Sequence, residues 1–164
     1  MTDKHRRFLG PVVEMRKLHD SAEQRIVHSA EMLDRKSLAS VGDTTGERLT
    51  ALLTETKAHT PEELAANVAR IGELLGRFAL YVPARFTDDP AEQAKYWAVR
   101  SGIFPAVGGS RPAGTTCLSE DVAFHIEDLP RATAELQALI ARHGYDACIY
   151  GCLLYTSPSP RDTR

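Results

Sequence analysis

The sequence predicts a single domain in which a β-sheet is backed on one face by helices. Its 164 residues are enough for one domain with its own core and too few for two complete domains. From Leu49 onward, short runs typical of strands alternate with runs that have the apolar spacing of helices. This alternation alone also permits a parallel α/β sheet.

The first third of the chain is predicted to contain short elements only. Residues 1–10 are charged and have no periodicity, so they form a lead-in. Beyond them the pattern predicts a helix over residues 12–24, a strand over 26–32, a brief helix capped by Asp34, and a strand over 49–56.

The clearest predicted helix begins at Thr60. Pro61 stands at the first helical position, and Glu63 lies three residues after the cap, as in a capping box. An apolar stripe of Leu64, Val68, Ile71 and Leu75 follows, and Gly76 ends the helix.

The second half of the chain repeats this alternation. The pattern first predicts a strand over residues 79–83 and a helix that begins after Asp89 and carries Trp97 and Arg100. A turn at Gly108 and Gly109 and a strand over 115–124 are predicted next. A helix from Leu129 to Gly144 follows, and a last strand starts at residue 147; the apolar stripe of this helix consists of Ala132, Leu136, Leu139 and Ile140.

Composition excludes several classes of function. The net charge of −2 and the pI near 6.3 give no electrostatic footprint for nucleic acid. No apolar run approaches the roughly 18 residues of a membrane-spanning helix, and no signal-type apolar core follows the basic start. We therefore expect a cytoplasmic protein.

The three cysteines, Cys117, Cys148 and Cys152, contain no CxxC pair. A disulfide framework or an iron–sulfur site on this chain is therefore not expected. Cys117 and Cys148 are expected to be buried as small apolar side chains.

Three stretches resemble the C-terminal (cap) domain of FAD-linked oxidases, the family that includes D-lactate dehydrogenases and the glycolate oxidase flavin subunit. They are WAVRSGIFPAVGG at residues 97–109, SEDVAFHIEDLP at 119–130 and HGYDACIYG at 143–151. A weaker likeness extends to AEMLDRKSL at 30–38. The resemblance implies a ferredoxin-like α+β cap with a largely antiparallel sheet, here cut short, and we adopt that fold over the parallel alternative.

The same resemblance implies an FAD-dependent oxidoreductase that oxidises a 2-hydroxyacid, of the D-lactate or glycolate type, by hydride transfer to the flavin. FAD would be bound mainly by an N-terminal domain that this sequence lacks, so we expect the chain alone to be inactive and to bind FAD poorly. A divalent metal is compatible with the family, as is an iron–sulfur cluster on a further module. The electron acceptor is undefined, and the full-length protein could associate peripherally with the inner membrane.

Arg100 is the leading candidate for binding the substrate. A guanidinium offers a planar fork suited to a carboxylate, and Arg100 matches the arginine with which relatives hold the substrate carboxylate. The alternative is a surface arginine that is solvated or paired with Glu92.

Glu120 is the second candidate, because in the family an acidic pair follows the glycine turn and one carboxylate lies near the substrate or metal. Adjacent strand residues point to opposite faces, so only one of Glu120 and Asp121 can reach a given site. A carboxylate that hydrogen-bonds a neighbouring loop is an equal alternative. No catalytic base is assigned, because the family's histidine motif would follow Gly151 and is absent here.

Residues 152–164 are expected to be foreign to the domain. CLLYTSPSPRD resembles the translation of a transposon end and adapter used in sequencing libraries, which implies a metagenomic reading frame with native sequence ending at Gly151. The alternative is a natural Pro/Ser-rich tail. The expected division is a lead-in at 1–25, the incomplete cap domain at 26–151 and the adapter translation at 152–164.

Two other functions stay open. One is a free-standing ferredoxin-like binding module without chemistry. The other is a docking subunit of a split flavoprotein oxidase, which a neighbouring gene for the flavin domain would indicate.

Overall fold

The computed structural model describes residues 10, 11, 13–15, 25–42, 50–118 and 122–153. Residues 10, 11 and 13–15 are helical, within the helix predicted over 12–24 and just before it. The elements that follow are β1 (Ser29–Leu33), α1 (Arg35–Ser40), β2 (Ala51–Glu55), α2 (Pro61–Leu75), α3 (Pro90–Ser110), α4 (Leu129–Arg142) and β3 (Tyr150–Cys152).

The three strands form one antiparallel sheet in the order β2-β1-β3. Leu33 in the central strand β1 pairs with Ala51 of β2 and with Tyr150 of β3. The antiparallel sheet with helices confirms the predicted α+β class. The strands predicted over 26–32 and 49–56 are β1 and β2, each displaced by a few residues.

Alternate residues of β1 face two different cores. Ala30 and Met32 belong to a core that also holds Ile71, Leu74 and Leu75 of α2. Leu33 belongs to a second core with Leu38 and Ile103, against which Ala51, Val107 and Tyr150 pack. Because strand neighbours point to opposite faces, helical residues contact both faces of the sheet, beyond the single helical layer expected.

The first core extends past both ends of the region expected to be the cap domain. Met15, in the expected lead-in, is 1% exposed and packs in this core. Leu153, in the expected adapter tail, is buried there as well, and its N–H donates to the carbonyl of Ala30 at 2.7 Å. Cys152 pairs with Glu31 in the sheet. The remaining residues of that tail lie outside the described part.

All three predicted helix caps are confirmed. The side chains of Asp34, Thr60 and Asp89 each accept a backbone N–H at the start of their helix, which satisfies a donor that the helix itself leaves free. The capping box differs in one detail, because Glu63 accepts from the N–H of His59, at 2.9 Å, rather than from that of Thr60.

The turn predicted at Gly108 and Gly109 is wrong, since α3 continues through both residues to Ser110. The helix also contains Pro105, which removes one helical hydrogen bond. The apolar contacts of the helix continue past Pro105, because Ile103 is fully buried and Val107 packs on the same core. Tertiary packing here outweighs low helix propensity.

Two predicted strands are not formed. Residues 79–83 form no strand, and Tyr81 and Val82 in that segment are largely exposed. The described residues of the other predicted strand, 115–118 and 122–124, are irregular. A strand needs a neighbouring strand to satisfy its backbone, and neither segment pairs with β1, β2 or β3 in the described sheet.

The burial expected for the cysteines is half correct. Cys117 is exposed, which overturns the expectation for it, whereas Cys148 is half-buried. Burial raises the pKa of the Cys148 thiol, and the nearby carboxylate of Asp34 acts in the same direction. No helix in the described part of the chain is long and apolar enough to cross a membrane.

Candidate functional site

Arg100 lies on the face of α3 that packs against the sheet. Positions three and seven residues further along the chain share a helix face, and here they are Ile103 and Val107, both in the second core. The apolar contacts of these two residues hold α3 against the sheet. Arg100, one turn earlier in the helix, therefore lies above β1 and β3.

Glu31 meets Arg100 from the sheet. The Nε atom of Arg100 donates to Oε2 of Glu31 at 2.7 Å, and the two side chains are 27% and 10% exposed. Glu31 shares the β1 face of Leu33, since the two are two residues apart. The contact therefore joins the central strand to α3 across 69 residues of sequence.

Tyr150 presents the face of its ring to Arg100. The Cζ atom of Arg100 lies 5.1 Å from the centre of the Tyr150 ring, within the range of a cation–π contact. Tyr150 starts β3 and pairs with Leu33 of β1. We call Arg100, Glu31 and Tyr150 together the Arg100 site.

Asp34 fixes the chain that leads into Tyr150. Its Oδ1 atom accepts from the N–H and from the hydroxyl of Ser37, at 2.8 and 2.7 Å, and its Oδ2 atom accepts from the N–H of Ile149 at 2.8 Å. One carboxylate therefore caps α1 and also anchors the residue before Tyr150.

Within the described part of the chain, Glu31 is the one hydrogen-bond acceptor that contacts the guanidinium of Arg100. Glu31 uses only Nε, and among the described residues Nη1 and Nη2 donate to no acceptor. Two parallel N–H groups on a fixed plane match the two oxygens of a carboxylate. A pair of donors of this kind has the geometry that suits a small carboxylate.

The substrate-binding roles predicted for Arg100 and Glu120 stay predictions. Arg100 is partly buried and pairs with Glu31, not with Glu92, which instead contacts Arg85 at 2.7 Å. Glu120 lies outside the described residues. Glu31 and Tyr150 were not predicted, although Glu31 lies in the stretch AEMLDRKSL and Tyr150 in HGYDACIYG, both of which carried the resemblance.

The described residues do not form a site for a whole FAD molecule. Beside α1 and the end of α4 lies an open cavity of about 300 Å³, which is at the lower limit for drug-sized ligands. Asp34 and Asp146 line it, and their carboxylates would repel the FAD pyrophosphate. Lys36 also lines this cavity but is paired with Asp146.

A metal site is likewise not formed by the described residues. No three histidine, cysteine, aspartate or glutamate side chains within them are grouped closely enough to hold a metal ion. A metal bound near Arg100 would need ligands from elsewhere.

Comparison with known proteins gives one match. A family model described as "FAD linked oxidases, C-terminal domain" matches residues 15–154. No curated protein and no solved structure matches the chain. The matched range includes every residue of the Arg100 site.

Proposed function

Because the chain belongs to the family of FAD-linked oxidase C-terminal domains, a family of FAD-dependent oxidoreductases, we propose that it is the part of such an enzyme that binds a 2-hydroxyacid. The substrate would be of the D-lactate or glycolate type. The observation that carries the proposal is the guanidinium of Arg100, which contacts Glu31 and Tyr150 and for which the described residues provide no acceptor at Nη1 or Nη2.

The role of this chain in the reaction is to bind and orient the substrate. Nη1 and Nη2 of Arg100 would each donate to one carboxylate oxygen, which fixes the plane of the carboxylate. The adjacent hydroxyl-bearing carbon then has a defined position, and such positioning lowers the entropic part of the reaction barrier. FAD, when bound, supplies the redox chemistry.

The remaining parts of the active site would come from outside the described residues. FAD would be held mainly by another domain, since the described residues do not fit it. Glu120 is proposed as a second substrate-binding residue. A divalent metal, or an iron–sulfur cluster that passes electrons to the acceptor, would also need ligands from outside the described part.

The adapter origin of residues from Cys152 onward stays a separate proposal. It rests on the likeness of CLLYTSPSPRD to a library adapter. Long-read sequencing across the codon for Gly151 tests it: a different continuation supports the adapter origin, and the same eleven residues would contradict it.

The proposed activity is tested by flavin reduction in the FAD-loaded complete enzyme under anaerobic conditions. D-lactate or glycolate should bleach the visible absorbance of the flavin. Arg100→Lys keeps the charge but loses the fork, so kcat/KM should fall roughly 10- to 100-fold.

Arg85→Lys is the matched control, because Arg85 is an exposed arginine paired with Glu92. It should leave kcat/KM unchanged. If no 2-hydroxyacid bleaches the flavin, the proposed substrate class is wrong. If Arg100→Lys behaves like Arg85→Lys, the role given to Arg100 is wrong.

A further inference from the structure

We propose that Glu31 is a positioning residue that aims Arg100 at the ligand and at the same time lowers the affinity of the site for anions. This inference rests on the proposed function, because it concerns how the same arginine binds a carboxylate. It assigns Glu31 two separable effects, one from its geometry and one from its charge.

The geometric effect follows from where Glu31 is held. Glu31 lies in the central strand, paired with Leu53 on one side and with Cys152 on the other. Its backbone is therefore fixed by two neighbouring strands. Its carboxylate meets Nε of Arg100 at 2.7 Å in a mostly buried position, where leaving either charge unpaired is costly.

Tyr150 completes the restraint on Arg100. Nε of Arg100 donates to Glu31, and its Cζ atom lies over the Tyr150 ring. A planar group with a hydrogen bond at Nε and a ring contact at Cζ has little freedom to rotate. Nη1 and Nη2 are thereby turned to the opposite edge, where a ligand carboxylate can accept from both.

The negative charge of Glu31 has the opposite effect, because it lowers the affinity of the site for a ligand carboxylate. The Glu31 carboxylate neutralises Arg100, so an incoming carboxylate meets a pair with no net charge. Coulomb repulsion between Glu31 and the ligand, a few ångströms apart, reduces the attraction. Glu31 thus gives orientation to the site and reduces its affinity for anions in general.

Substitutions at Glu31 separate these effects, with glycolate as the probe and binding followed by NMR on the 164-residue chain. Glu31→Gln keeps an oxygen for Nε and removes the charge, so glycolate should bind roughly 3- to 30-fold more tightly than to the wild type. Glu31→Ala also removes the charge but supplies no acceptor. It should bind glycolate about 10-fold more weakly than Glu31→Gln.

A second readout does not depend on ligand. The Nε–H proton of Arg100, identified by its disappearance in Arg100→Lys, should exchange slowly with water in the wild type and in Glu31→Gln. It should exchange rapidly in Glu31→Ala. This readout tests whether the bond to Nε is present in each variant, and the glycolate affinities then separate a positioning role from a merely structural one.

Two further variants serve as a substitute for Glu31→Ala and as a control for the change in charge. Glu31→Asp keeps the charge but shortens the side chain, and it serves if Glu31→Ala does not fold; it should bind glycolate more weakly than the wild type. Glu55→Gln removes a charge from β2, where Glu55 pairs with Lys57. It should change glycolate affinity by less than twofold.

The outcomes distinguish this inference from the proposed function. If the wild type binds glycolate through Arg100 but Glu31→Gln and Glu31→Ala bind it equally, the positioning role is overturned and the proposed function stands. Wild-type affinity in Glu31→Asp also overturns it. If the wild type does not bind glycolate while its Nε–H exchanges slowly, the proposed function fails and the inference built on it fails too.

Discussion

Asp34 connects the start of α1 to Ile149, the residue before Tyr150 of the Arg100 site. Its position as a helix cap could be predicted from sequence, because aspartate before a helical run is a common N-cap. Its second contact, with the N–H of Ile149, could not be predicted. That contact spans 115 residues and depends on how β3 returns to β1.

The two functions of Asp34 predict an unusually large loss of stability on substitution. Asp34→Ala removes a helix cap, worth about 1 kcal/mol, and leaves the N–H of Ile149 without its acceptor, at a cost of about 1–3 kcal/mol. We expect the free energy of unfolding, measured by urea titration, to fall by about 2–4 kcal/mol.

Asp89→Ala is the control for Asp34→Ala, because Asp89 caps α3 by a bond to the N–H of Ala91 and makes no second long-range contact in the described part. Its loss should be only about 1 kcal/mol. Equal losses in the two variants would show that the bond to Ile149 adds nothing.

Glu31 illustrates what sequence reasoning misses at the scale of a residue. Glu31 stands between Ala30 and Met32, whose side chains face the other side of the sheet, so its neighbours in sequence do not indicate its partner. That partner, Arg100, is 69 positions away. Arg100 is a candidate from sequence because it lies in a stretch that resembles the family. The ion pair that holds it depends on tertiary structure.

Among the elements, α3 has a start that local sequence signals determine and a length that depends on packing. Its start could be predicted, since Asp89 and Pro90 are local signals and both act as expected. Its end could not, because Gly108 and Gly109 usually interrupt a helix. Contacts of Ile103 and Val107 with the second core hold the helix as far as the residue before Gly108, and the helix ends at Ser110.

The start of α3 also predicts a dependence of stability on pH. A hydrogen bond with Thr87 and the nearby charge of Arg85 lower the pKa of Glu92, and Tyr96 contributes a further hydrogen bond. A carboxyl whose pKa is lower in the folded state stabilises the protein above its unfolded-state pKa. That stabilisation is lost as the pH falls through the folded-state pKa.

Comparing the wild type with Glu92→Gln therefore isolates this contribution. The wild type should be the more stable of the two near neutral pH. Its advantage should shrink as the pH falls below the ordinary carboxyl value of 4.5. Urea unfolding at a series of pH values measures it, and a difference that is constant down to the lowest pH would contradict the assignment.

At the scale of the whole molecule, the α+β class and the antiparallel sheet could be predicted because the family resemblance resolved a choice that periodicity left open. The packing of α3 over the second face of the sheet could not be predicted. That packing brings a helix from the middle of the chain over Glu31 near its start and Tyr150 near its end. The Arg100 site is therefore a product of the complete fold and not of any one segment.

The fold also leaves apolar side chains on its surface. Tyr81, Val82, Phe104 and Leu118 are among the large apolar residues that are mostly exposed. Tyr81 and Val82 lie in the segment predicted to be a strand, and Leu118 lies in the other. Apolar periodicity signals a strand only when a neighbouring strand is present to pair with it, and the described sheet provides none here.

Titration of the chain with glycolate, followed by NMR, shows whether Arg100 binds the carboxylate of a 2-hydroxyacid. The wild type and Arg85→Lys should bind glycolate equally, with shifts centred on Arg100 and Tyr150. Arg100→Lys should bind it at least 10-fold more weakly, because the lysine cannot donate to both oxygens. Glycolamide, which lacks the charge, should not bind. Equal binding of glycolate by Arg100→Lys and the wild type would show that Arg100 does not bind the carboxylate.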